Sequence, residues 1–169
     1  MNPRTVEPHP SPVVGILGGL AGTILAIALI YSAPVLGVPA VDMLGTLGRV
    51  VTNVPDAALA IGAAAFFVLG TFIVPFVIAR LWSALPGGAE SLGGALLKGV
   101  IAGGALWVLG VVPFARGVAP ALSLLAADLG YGLAVAIVIA MVHGIDPIGT
   151  LGWGGYRAAV TPDTTVRRP

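Results

Sequence analysis

The sequence predicts an all-α, polytopic membrane protein, with four transmembrane helices and one short amphipathic surface helix. Three observations carry that expectation. Of the 169 residues, 57% are hydrophobic and 9% are charged, against roughly 25% charged in an ordinary soluble domain. Mean hydropathy is +1.04. Four apolar runs reach the roughly 20 residues that a helix needs to cross a hydrocarbon core of about 30 Å. The runs are rich in glycine, 25 residues in all, and small side chains let helix backbones approach closely in lipid. Together they form one membrane domain over residues 13–143.

Residues 1–12, MNPRTVEPHPSP, hold four prolines and alternating charge, which fits an irregular tail. The first crossing is expected over 13–33. A signal peptide is the alternative, because the run follows Arg4 and ends on the small Ala33. Its length, beyond the usual core of roughly 7 to 15 residues, favours a retained helix. Gly15 with Gly19, and Gly18 with Gly22, make two overlapping small-xxx-small registers, read as helix-packing faces.

Residues 39–52 place Val41, Leu44, Leu47 and Val51 at helical spacing, with Asp42, Thr46 and Arg49 on the other side. The segment is too short and polar to span. It reads as an amphipathic helix at the membrane surface or capping the bundle, weakened by Gly45 and Gly48, with a structured loop as the alternative. The second crossing is expected over 57–79. Pro75 should kink it or pack against a neighbour that satisfies a freed carbonyl. Arg80 and Trp82 follow as interfacial anchors.

The third crossing is expected over 95–115. Lys98 lies one turn inside and is read as an anchor that snorkels outward. Gly99 and Gly103 repeat the packing spacing. Arg116 anchors the short return to the fourth crossing, 120–142. The remainder, 144–169, reads as an interfacial and disordered tail in which Trp153 lies at the membrane surface. Basic residues near the helix ends divide six to two, with Arg4, Arg80, Lys98, Arg157, Arg167 and Arg168 against Arg49 and Arg116. That bias predicts a cell-membrane protein with both termini in the cytoplasm.

Inside the fourth run stands one carboxylate. Asp128 lies eight residues beyond Pro120, or about 12 Å into the apolar layer at 1.5 Å per residue. An ionisable group at that depth is a functional hypothesis by default. In an antiparallel bundle its level is shared by Trp107, with Thr23 less than a turn away and Tyr131 one turn along the same helix. These three are the expected hydrogen-bond partners of Asp128. A neutral, hydrogen-bonded structural acid is the leading reading, and an ion or proton role the alternative.

Other chemistry is bounded by composition. The chain has no cysteine, and its two histidines, His9 and His143, lie outside the predicted spans. No bis-histidine haem or four-helix carboxylate–histidine metal site is therefore expected within this chain. Glycine-rich pieces such as GILGGLAG lack the lysine and strand-to-helix context of a phosphate loop. No cofactor is predicted. No basic stripe points to nucleic acid.

The runs ALLKGVIAGGALWVLGVVPFA and ALSLLAADLGYGLAVAIV together resemble a family of small prokaryotic four-helix membrane proteins of uncharacterised function. The resemblance rests on Lys98-Gly99 opening the third helix, on Trp107, and on Tyr131-Gly132 in the fourth. A histidine of the family pattern is replaced by Asp128, and its second-helix histidine has no match near Ala65 and Phe66. No metal or haem role is therefore carried over. The resemblance implies a respiratory or other electron-transfer complex as host.

The functional expectation is a non-catalytic accessory or assembly subunit of a larger membrane complex. Its partners would be membrane lipids and either other integral subunits or copies of itself. The alternatives are a small oligomeric proton or ion pathway centred on Asp128, and a membrane enzyme or lipid-binding protein.

Overall fold

A computed structural model describes residues 10–37, 42–87, 91–114 and 118–142. Arg116, Trp153, both histidines and the tail residues 1–9 and 144–169 lie outside the described residues, as do the anchor and disorder readings placed on them. The described residues form five helices: α1 Pro12–Ser32, α2 Met43–Val51, α3 Pro55–Leu81, α4 Leu92–Phe114 and α5 Val118–Val142. A 3₁₀ turn, Ala33–Leu36, extends α1. α1, α3, α4 and α5 are long and apolar enough to cross a membrane, so the chain is a multi-pass membrane protein of four spanning helices.

Local chemistry sets the helix starts. Ser11 Oγ accepts from Val14 N at 3.4 Å, with Pro12 at the first helical position. Asp42 Oδ1 accepts from Gly45 N at 3.1 Å to start α2. Ser91 Oγ accepts from Gly94 N at 3.0 Å, which begins α4 at Leu92 rather than near Ala95. Each cap satisfies a backbone donor that the helix itself leaves open.

α5 is the hub, packed between α1 and α4, while α1 also packs on α3. The two glycine registers of α1 serve different neighbours. A Cβ at Gly18 would lie 3.2 Å from Val135 Cα, and one at Gly22 would lie 2.7 Å from Tyr131 Cδ2, both on α5. Gly15 and Gly19 face α3, where a Cβ at Gly19 would lie 2.7 Å from the Thr71 carbonyl oxygen. On the far side of α5, Gly99 and Gly103 of α4 meet Gly132, whose Cβ would stand 3.0 Å from Gly103 Cα. Val135 and Ala136, one turn on from this crossing, are fully buried. Only 28% of the apolar window of α3 is buried in the protein. The rest, including Leu59, Phe72 and Phe76, is exposed on the outside of the bundle.

α2 departs from its expected face. Asp42, Thr46 and Arg49 form its polar edge, with Arg49 Nη2 at 3.0 Å from Asp42 Oδ2 and 2.9 Å from Thr46 Oγ1. The opposite contact is made through Gly45 and Gly48 with Met43 and Leu44, while Val51 is exposed. A Cβ at Gly48 would collide with the Ala58 backbone, and one at Gly62 with the backbone of Leu44. The glycines that weaken α2 as an isolated helix are what let it lie against the first turns of α3. Helix propensity yields here to close backbone packing.

Candidate functional site

The site begins with a fault in α3. Over Leu69–Ile73 the helix widens into a π turn, and Val74 N donates to Leu69 O, five residues back. In that register the next N–H would serve Gly70 O, but the next residue is Pro75, which has none. The Gly70 carbonyl is left over. Tyr131 Oη of α5 donates to it at 2.5 Å. Such a bond between membrane helices is worth roughly 0.6–1.7 kcal/mol. The sequence signal is a glycine five residues ahead of a proline within an unbroken apolar run, with a tyrosine on another span. π turns of this kind are frequent at functional sites.

Thr23 of α1 lies against Gly70, where a Cβ would collide with its hydroxyl. Thr23 and Thr71 are buried, and neither hydroxyl has a hydrogen-bond partner among the described residues.

Beside the Tyr131–Gly70 bond lies a cavity of about 180 Å³. Ala26 of α1, Met43 and Leu47 of α2, and Phe66, Leu69, Gly70 and Val74 of α3 form one part of its wall. Leu106 and Gly110 of α4 and Leu124, Asp128 and Tyr131 of α5 complete it. All five helices therefore contribute, and α2 covers one side. Asp128 is half-buried, and among the described residues of the wall it is, apart from the Tyr131 phenol, the only ionisable one.

The four residues expected to form one polar cluster do not do so. Trp107 Nε1 donates to Ala121 O at 2.8 Å, near the start of α5, instead of to Asp128. Tyr131 is drawn to α3 because an unpaired carbonyl there claims its hydroxyl. The Thr23 hydroxyl meets neither Asp128 nor any other partner among the described residues. No described side chain hydrogen-bonds to Asp128. Shared depth did not make these groups hydrogen-bond to one another, because rotation about each helix axis decides which side chains meet. The reading of Asp128 as a hydrogen-bonded tie is corrected to an acid lining a cavity.

Lys98 and Trp82 are corrected too. Lys98 is fully buried, Trp82 is 5% exposed, and Lys98 Nζ donates to Trp82 O at 2.9 Å. The ammonium also stands 5.1 Å from the centroid of the Trp82 ring. Trp82 is the C-cap of α3, and its carbonyl stands at the negative end of the helix dipole, so a cation there is favoured. Lys98 reaches back along the protein to that helix end instead of outward to the headgroups. Arg80 stands exposed at the end of α3, its guanidinium 5.1 Å over the Phe76 ring.

Among the described residues no cluster of three or more histidine, cysteine, aspartate or glutamate side chains could hold a metal ion. A family model described as "Family of unknown function (DUF6789)" matches residues 10–150. No curated protein and no solved structure matches the chain.

Proposed function

We propose, from the premise that this chain belongs to the DUF6789 family of unknown function, that it is a non-catalytic membrane subunit holding a small, largely apolar molecule between its helices. The observation that carries this reading is the cavity of about 180 Å³ walled by all five helices. Concave, mainly apolar sites with few polar groups are the usual form of small-molecule sites. The expected accessory role in a larger membrane assembly is kept within the proposal, since most of the described chain is spanning helix. An ion pathway is less well supported, because the described side chains of the wall around Asp128 are apolar save for Tyr131, whose hydroxyl is engaged by Gly70.

Native mass measurement after gentle extraction tests the proposal. Wild-type protein is expected to carry the mass of a bound small molecule, and Ala26→Phe, which fills the cavity from a buried position, is expected to lose it. Bare wild-type protein, or an adduct unchanged in Ala26→Phe, would sink the reading.

The proposed orientation places both termini in the cytoplasm, on the six-to-two basic bias. The absence of cysteine allows clean single-cysteine labelling at the exposed Asn53 and Ser83. An impermeant reagent added to intact cells is expected to modify Asn53→Cys and spare Ser83→Cys; the reverse pattern would invert the topology.

A further inference from the structure

We propose that the cavity selects a guest with one amine or ammonium group on a compact hydrocarbon body, the size of a single six-membered ring with a short arm, and that Asp128 is its counter-ion. This rests on the binding reading above and names the chemistry of the ligand. Size comes first. A cavity of about 150 Å³ lined by aliphatic and aromatic side chains holds one benzene, and this one measures about 180 Å³. The wall then sets the body of the guest. Met43, Phe66, Leu69 and Leu106 offer apolar surface, a soft thioether and an aromatic ring that attracts a cation on its face.

Charge sets the remaining group. Asp128 lines the cavity, and no described donor hydrogen-bonds to it. Among the described residues the cations of the neighbouring helices are engaged elsewhere: Lys98 holds Trp82 O, Arg49 pairs with Asp42 on the exposed edge of α2, and Arg80 stands exposed over the Phe76 ring. A carboxylate in apolar surroundings is costly alone and strongly favoured beside a cation. An uncharged amine arriving from the lipid completes the pair without bringing in net charge. The proton leaves the carboxyl oxygen of Asp128 for the amine nitrogen, and the ammonium and carboxylate then face each other. A neutral isostere gains only the apolar contacts, and an anion is repelled.

The test uses purified full-length protein in lipid nanodiscs, with benzylamine and its neutral isostere benzyl alcohol as probes, read by calorimetry or saturation-transfer NMR. Wild type is expected to bind benzylamine at least tenfold more tightly than benzyl alcohol. Asp128→Asn should bring the two to within about twofold while still binding the alcohol, which also shows that the variant folds; Asp128→Ser should behave alike. Equal affinities in wild type, or a preference for the amine that survives both substitutions, would overturn the assignment of Asp128 and leave the binding proposal standing. If neither probe binds wild type, both fall.

Discussion

Gly132→Leu is expected to destabilise the protein by about 4 kcal/mol, beyond the usual 1–3 kcal/mol of overpacking. A Cβ at Gly132 would stand 2.8 Å from Gly103 N and 3.0 Å from Gly103 Cα, and it would collide with the Gly99 carbonyl. These are backbone atoms of α4, which cannot rotate aside as a side chain does, so α4 and α5 must separate. α5 also carries the wall residues Leu124, Asp128 and Tyr131, and separation would open the cavity. At roughly 2–4 °C per kcal/mol for a chain of this size, the melting temperature in mild detergent should fall by roughly 8–16 °C. Gly104 is the internal control. It lies on the same helix as Gly99 and Gly103, but a Cβ there meets nothing within 4 Å, so Gly104→Leu should leave the melting temperature within about 2 °C. Equal losses from Gly132→Leu and Gly104→Leu would show that α4 and α5 do not cross at Gly132.

Lys98→Glu is expected to cost about 3–5 kcal/mol, the scale of breaking a buried charged pair. Three effects act in one direction. The donor to Trp82 O, at 2.9 Å, disappears. The cation over the Trp82 ring is lost. A carboxylate then takes a fully buried position beside the negative end of the α3 dipole, where it is repelled. Arg80→Glu reverses charge on the same helix end at an exposed position, and should have little effect on stability. Thermal denaturation followed by size-exclusion chromatography compares the two variants. A Lys98→Glu protein as stable as Arg80→Glu would return Lys98 to the role of an outward-reaching anchor.

Lys98 also shows where sequence reading stopped. Its position inside the third apolar run was legible, and a lysine so placed has two ways to shelter its charge: outward to headgroups or sideways to another helix end. Only packing decides between them. The Trp82 carbonyl lies sixteen residues away in sequence, and nothing local links the pair. The same holds for Asp128. Its depth followed from counting at 1.5 Å per residue, but depth is one coordinate of a helix, and its three presumed partners turned to Ala121, to Gly70 or to no described partner.

By itself the sequence determined the four spanning helices, because hydrophobic length and charge exclusion act on each segment independently and need no neighbour. It also marked which small residues permit close approach. Tertiary structure alone decided which helix each glycine register faces, that Gly45 and Gly48 are the contact surface of α2, and that the carbonyl freed before Pro75 is Gly70 O, held by Tyr131. The cavity is of the same kind. Its wall draws on all five helices, and a void is a property of how helices fail to fill space together, which no single segment encodes.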